Sequence, residues 1–315
     1  MIKFLKNNIW ILILLFCFNA MGQNNNEYYK KAIDYASNEN IEEALRSINK
    51  AINFEGTKAS PLFYFHKYEY LIKLKKFELA IQTLNDALYI LPNSVLLLNA
   101  RAEFFFALKM YKKAVLDYQK IIALVKDKEL IIYNVKLAST KFLIRDFEGV
   151  AVILQLIFKE DPSNIDALNL LASLYIEHSE YAKAEQLLNK VFNEHPSQAF
   201  IIVNLGFVYQ KKEQHKEAIS CFNRALILNP DNPIALSNRA YSKLRMSNID
   251  GAISDVNKSI DLLQSNSYAY MIRGKIYLSV NKSKEACVNF AIAKKLNFSE
   301  QYGSEVNELI KNNCQ

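Results

Sequence analysis

The feature that most constrains this chain is a small side chain that returns every 34 residues. In the segment Ala199 to Asn232, two apolar helical patterns flank a polar break, Lys211 to His215, and an Asn-Pro pair marks the end. The layout recurs on both sides, with units starting at Asn25, Pro61, Val95, Ile131, Ile165, Ala199, Pro233 and Ser267. The twentieth position holds Ala44, Ala80, Ala114, Val150, Ala184, Ala218, Ala252 and Ala286. The eighth holds Ala32, Tyr68, Ala102, Ala138, Ala172, Gly206, Ala240 and Gly274. The twenty-fourth is apolar throughout: Ile48, Leu84, Tyr118, Leu154, Leu188, Phe222, Val256 and Phe290.

Such a pattern predicts two helices per unit, A and B, crossing where the eighth and twentieth residues meet, since only Ala or Gly lets two backbones approach closely. Larger apolar residues at positions four, eleven and twenty-four fill the space on either side. All six prolines fall at a unit boundary: Pro92, Pro162, Pro196 and Pro230 near the end, Pro61 and Pro233 at the start. There each stops one helix or opens the next. Only seven glycines and six prolines interrupt a chain that is 51% hydrophobic, which favours an all-α fold and excludes a disordered one. No unit can bury its apolar face alone, so neighbours must stack.

These residues resemble the tetratricopeptide repeat (TPR) family, most closely in the sixth unit, through Leu205-Gly206, Tyr209, Ala218, Phe222, Ala225 and Pro230. The resemblance implies an all-α TPR solenoid, a right-handed superhelix of antiparallel helix pairs. Eight repeats are expected at 25–58, 61–94, 95–128, 131–164, 165–198, 199–232, 233–266 and 267–300, followed by a C-terminal capping helix at 301–315. Val306, Leu309 and Ile310 give that segment an apolar stripe at helical spacing. Two departures predict local irregularity. Tyr68 stands where a small residue belongs, and the fourth repeat carries Lys141 at its eleventh position and Val150 at its twentieth. Short insertions precede the second repeat (Ala59, Ser60) and the fourth (Glu129, Leu130).

The first 22 residues read as a signal peptide. Lys3 and Lys6 precede a ten-residue apolar run, Ile9 to Phe18, and Ala20-Met21-Gly22 supplies small residues for cleavage before Gln23. Ten residues span about half of a bilayer core, too little for a stable transmembrane helix; the alternative is a leader retained uncleaved as an anchor. Cys17 does not make a lipoprotein signal, because Phe16 stands where a small residue is needed. The mature chain is therefore expected to be exported, periplasmic or secreted, without a membrane span. Exported bacterial members of the family look similar at their C-terminal end, which implies a Cys287–Cys314 disulfide; the alternative is two unrelated thiols. Cys221 reads as a small core residue.

The sequence offers little chemistry. Glycines are isolated, so no phosphate loop, dinucleotide fingerprint or nucleophile elbow occurs. His66, His178, His195 and His215 are scattered and no CxxC accompanies them, so neither metal nor cofactor is expected, and the chain is read as no enzyme. The net charge is +7, of which the leader lysines carry two, and basic residues are interleaved with acids rather than gathered in a stripe, which argues against nucleic acid. The resemblance implies instead that helix A lines a concave groove through positions two, five, nine, twelve and thirteen. The residues so assigned are Phe200, Val203, Phe207, Gln210 and Lys211; Ile234, Ser237, Tyr241, Leu244 and Arg245; and Tyr268, Met271, Lys275, Leu278 and Ser279, with Asn204 and Asn238 at position six; the alternative is that several of them pack between neighbouring A helices. The earlier repeats give a mixed surface of Phe65, Glu69, Lys73, Asn99, Glu103 and Phe106. A carboxylate clamp is incomplete, since Val203 and Phe207 replace its Lys and Asn. The expected function is a scaffold holding a protein or peptide with apolar and acidic side chains. The alternatives are a structural subunit of a cell-envelope assembly and, further off, a carbohydrate-binding or enzymatic groove.

Overall fold

The computed structural model describes residues 27–314; the leader, its cleavage site and Asn25 lie outside them. The described residues form helices joined by short turns, without a strand among them, and divide into two compact units at Pro162. The first unit contains α1 (Glu27–Ser37), α2 (Ile41–Glu55), α3 (Pro61–Lys73), α4 (Phe77–Ile90), α5 (Val95–Ala107), α6 (Tyr111–Ile122), α7 (Asp127–Leu143) and α8 (Phe147–Glu160). The second contains α9 (Ile165–Glu177), α10 (Tyr181–Glu194), α11 (Ala199–Lys211), α12 (His215–Leu228), α13 (Pro233–Arg245), α14 (Ile249–Leu262), α15 (Ser267–Ser279), α16 (Ser283–Lys295), α17 (Phe298–Tyr302) and α18 (Glu305–Asn313). Odd numbers up to α15 are A helices and even numbers up to α16 are B helices.

Polar side chains start many of these helices. Ser60, Ser94, Asn164, Asn232 and Asn266 accept backbone N–H bonds at the head of A helices, as Asn40, Asp146 and Asn248 do for B helices. Each A helix then ends in the same way. The fifteenth residue of every repeat (Glu39, Lys75, Lys109, Arg145, Ser179, Glu213, Ser247 and Asn281) has φ between 58° and 61°. The next amide bonds back five residues, as from Gln214 to the Tyr209 carbonyl at 2.9 Å, and the left-handed residue bonds back three, as from Glu213 to Gln210 at 3.1 Å. This is a Schellman stop built without glycine, at a cost of about 1 kcal/mol per left-handed residue.

The small positions form the seam. Every residue at position twenty is fully buried, Val150 of the fourth repeat included, and those at twenty-four are at most 2% exposed. The contact differs from the expected crossing in one respect: the eighth residue faces position twenty-four closely. A Cβ added to Gly206 would lie 2.7 Å from Phe222 Cε1, and one added to Gly274 would lie 2.4 Å from Phe290 Cε1. Glycine at eight therefore accompanies phenylalanine at twenty-four, while Ala102 suffices under Tyr118 and Ala240 under Val256. Tyr68, the large residue at position eight, buries its ring against Phe65 and against Phe104 of the next A helix, centroids 6.2 and 6.3 Å apart.

A polar ladder runs beside this seam in three repeats. Arg101 forks onto Asp117 (2.9 and 2.7 Å) and reaches Asn85 of the preceding repeat (2.9 Å). Arg239 forks onto Asp255 (2.7 and 2.6 Å) and reaches Asn223 (2.8 Å); Arg273 bonds Asn289 (2.7 Å) and Asn257 (3.1 Å). The residues stand at positions seven, twenty-three and twenty-five, so one guanidinium ties helix A, its own helix B and the preceding B helix.

The insertions appear as local changes. Before the second repeat a short 3₁₀ turn, Gly56–Lys58, leads to the cap Ser60. Before the fourth, no loop forms: α7 begins at Asp127, four residues ahead of Ile131, so Glu129 and Leu130 extend the helix by a turn. The C-terminal segment is two helices rather than one. Gly303, with φ +89°, separates α17 from α18, a conformation that glycine adopts without strain. Phe298 and Val306, one from each, are fully buried against the last repeat, with Leu309 and Ile310 partly buried beside them. Cys287 Sγ and Cys314 Sγ are bonded, tying α16 to the end of α18. Closing this span of 27 residues contributes about 3–4 kcal/mol by chain-entropy reasoning.

Candidate functional site

Positions two, five, nine and thirteen are three or four residues apart and so share one side of helix A. In α11, α13 and α15 the structure divides the assigned residues into two groups. Val203, Gln210, Ser237, Asn238 and Met271 are buried, Met271 to 1% exposure, and they pack between helices rather than line a surface. Position five borders the neighbouring A helix, which is why even Ser237 is buried there. The rest reach solvent. Phe200, Lys211 and Arg245 are exposed, and Asn204, Phe207, Tyr241, Tyr268 and Lys275 are half-buried.

The exposed group contains a repeated pair. Lys211 Nζ stands 5.2 Å from the Phe207 ring centroid, and the Arg245 guanidinium stands 6.0 Å from that of Tyr241, each four residues on along its helix. Arg245 also donates to the Tyr241 hydroxyl at 3.1 Å and pairs with Glu213 at 2.7 Å. Lys211 has no carboxylate partner among the described residues. Two consecutive repeats thus offer an aromatic ring with a cation over it.

The asparagines hold the face together. Asn204 donates to Asn169 of the preceding A helix at 2.7 Å. Asn238 donates to the Ile234 carbonyl at 2.9 Å, while its own backbone carbonyl accepts from Gln210, which also donates to Ser242 at 2.9 Å. Beneath Tyr241 lies His215, a residue the sequence pattern did not single out. It is buried, its ring centroid is 5.9 Å from that of Tyr241, and its Nε2 is 3.7 Å from Glu213 Oε2. Burial, and after it the Arg245 charge, hold its pKa below the ordinary histidine value. Cys221, half-buried on α12, has its thiol pushed up to about 11 by burial, so it is a poor nucleophile.

Several of the corresponding positions of the first unit are engaged, although Lys73 is exposed and Glu69 and Phe106 are half-buried. Phe65 is buried, and Glu103 accepts from Lys136 at 2.5 Å and from the Tyr118 hydroxyl at 2.9 Å. Lys136 also donates to Asn99 at 3.1 Å. Among the described residues no group of three or more His, Cys, Asp or Glu side chains could hold a metal, and no helix is long and apolar enough to cross a membrane. A shallow notch of about 330 Å³ lies between α12 and α14, but Arg239 within it is already spent on Asp255.

Models of the tetratricopeptide repeat match residues 199–232 and 145–200. No curated protein matches the sequence. Among solved structures, a tetratricopeptide repeat protein from Parabacteroides merdae is 20% identical, over 92% of this chain and 98% of that one, with a TM-score of 0.48. The human IFIT1 dimer with m7Gppp-AAAA is 16% identical over 89% of this chain and 70% of that one, with a TM-score of 0.61. The APC/C hetero-tetramer Cut9–Hcn1 is 13% identical over 87% and 53%, with a TM-score of 0.60. At such identities the IFIT1 and Cut9–Hcn1 structures speak for the fold alone. Taken with the 34-residue seam and the paired helices that it holds, the matches over 145–232 mark this chain as built of tetratricopeptide repeats.

Proposed function

We propose that the chain is an exported, non-catalytic scaffold that holds a protein or peptide segment against the A-helix face of α11 and α13. The observation that carries this reading is the repeated ring-and-cation pair, Phe207–Lys211 and Tyr241–Arg245. Aromatic and arginine side chains dominate the energetics of many protein interfaces, and these pairs offer apolar area beside positive charge, with no carboxylate on Lys211 and only the exposed Glu213 on Arg245. Its complement is a segment with apolar and acidic side chains. Export is supported by the leader pattern and by a disulfide, a bond that persists in oxidising compartments.

The test uses a fluorescein-labelled peptide of alternating phenylalanine and aspartate and follows its anisotropy with the whole chain. Substituting Phe207→Ala and Tyr241→Ala together should weaken binding by about tenfold or more without changing the far-UV circular dichroism. Unchanged affinity removes the reading. A second reading, a structural subunit of an envelope assembly, is favoured by the apolar side chains that helix B leaves exposed: Leu116, Val152 and Leu156. Co-fractionation with envelope complexes that survives the Phe207→Ala/Tyr241→Ala change would support it.

A further inference from the structure

The segment that follows the last repeat lies on residues of the candidate face. The ring centroid of Tyr302, at the end of α17, is 5.5 Å from that of Tyr268. Glu305, which opens α18, pairs with Lys275. Tyr268 and Lys275 are the second and ninth residues of α15, and Lys275 Nζ also stands 5.5 Å from the Tyr241 ring centroid. Sealing the apolar end of the array uses Phe298 and Val306, both fully buried. Tyr302 packs on Phe298, ring centroids 4.9 Å apart, yet is 51% exposed, and Glu305 is exposed as well. These two side chains also meet an aromatic ring and a cation, the kinds of group that the two preceding repeats present on the same face. The disulfide and the buried core of the segment hold them nearby, so they occupy the face at high effective concentration.

We infer that the C-terminal segment is a resident occupant of the face. It stands in for a partner segment that carries an aromatic side chain and a carboxylate three residues apart. Such a partner displaces Tyr302 and Glu305 from Tyr268 and Lys275, while Phe298, Val306 and the disulfide keep the cap in place. The inference rests on the A-helix face being a binding surface and adds the chemistry of what binds there.

The probe is a fluorescein-labelled peptide of residues 299–305, which carries the tyrosine and the glutamate and lacks the core residues Phe298 and Val306. It is titrated into the whole oxidised chain and followed by anisotropy. A competing internal occupant lowers the apparent affinity by the fraction of time that the face is free. Removing it with Tyr302→Ala and Glu305→Gln should therefore tighten binding by about tenfold. Adding Lys275→Glu should abolish that gain, and Glu305→Gln alone should shift affinity in the same direction by less. Equal affinity for the wild type and the Tyr302→Ala/Glu305→Gln chain overturns the inference, as does a gain that survives Lys275→Glu. If the phenylalanine–aspartate probe binds through Phe207 and Tyr241 while this exchange has no effect, the resident occupant falls and the binding face stands. If neither probe binds any variant, both fall.

Discussion

Gly274→Ala places the smallest possible addition at the tightest point of the seam. The new Cβ would lie 2.4 Å from Phe290 Cε1, 2.6 Å from its Cδ1 and 2.9 Å from its Cζ, where carbons ordinarily sit about 3.5–4.0 Å apart. The ring is fully buried among Ala286, Ala293, Ile276 and Phe298, so it has no open space to enter. Overpacking of this kind costs about 1–3 kcal/mol. Alanine is the better helix former by about 1 kcal/mol, which offsets part of it and leaves a net loss of about 1 kcal/mol. Phe290→Leu removes the atoms in the way, so the double variant should be less destabilised than the sum of the single ones, by about 1–2 kcal/mol. Repeat arrays do not unfold in one step as a rule, so the measurement should be local. Hydrogen exchange read by mass spectrometry on fragments of α15 and α16 reports the opening of this pair. Slower exchange in Gly274→Ala would mean that helix propensity outweighs the contact, and additive single effects would mean that the two residues do not meet. Either result refutes the proposed seam.

Other outcomes follow from the turns, the ladder and the buried histidine. Ser247 is exposed with φ 59°, so Ser247→Gly should relieve strain and stabilise by about 0.5–1 kcal/mol, seen as a raised thermal midpoint; a lowered one would contradict the account of the turn. Asp117 accepts from Arg101 alone among the described residues, whereas Asp255 keeps Lys243 at 2.8 Å if Arg239 is lost. Arg101→Met should therefore cost about 3 kcal/mol and Arg239→Met about 1 kcal/mol less, compared by urea titration; equal costs would show that Lys243 does not compensate. The folded chain holds His215 neutral below its ordinary pKa of 6.5, so acid protonates the unfolded chain first. Stability should fall as pH drops below about 6.5, and His215→Phe should flatten that slope in thermal scans; an unchanged slope would assign the effect elsewhere.

The seam was legible in the sequence because the repeats bring the same two backbones together and place Ala or Gly there, with Tyr68 and Val150 as the exceptions. The turns were not. Their left-handed residue is Glu, Lys, Arg, Ser or Asn, so the usual glycine signal is missing and only the polar break shows. The Arg–Asp–Asn ladder keeps the same period, but three repeats carry it and the others place Leu or Lys at position seven, which dilutes the pattern. The cap shows a helical stripe at Val306, Leu309 and Ile310, yet its break at Gly303 depends on a left-handed φ that hydrophobic spacing does not encode. At the face, positional assignment failed for Val203, Asn238 and Met271 because burial there is set by the neighbouring A helix. His215 and Glu213 were not assigned to the face because the groove positions lie on helix A, whereas Glu213 belongs to the turn and His215 opens α12.

The two units differ in what a partner would have to undo. In the first, a carboxylate approaching Lys136 must compete with Glu103, Asn99 and the hydroxyl behind them, a network that is already satisfied. Breaking such partly buried bonds costs more than an incoming group returns unless it replaces all of them. In the second, Lys211 stands over the Phe207 ring with no carboxylate beside it, so a new carboxylate adds an interaction and removes none. Arg245 is intermediate: its pair with the exposed Glu213 is of the kind worth less than about 1 kcal/mol, and it can be exchanged for a ligand carboxylate at little loss. Lys275 is the other extreme, taken by Glu305 of the same chain. The cations of α11, α13 and α15 thus pass from free, to weakly held, to occupied. An acidic segment should therefore engage Lys211 first and contend with the cap last.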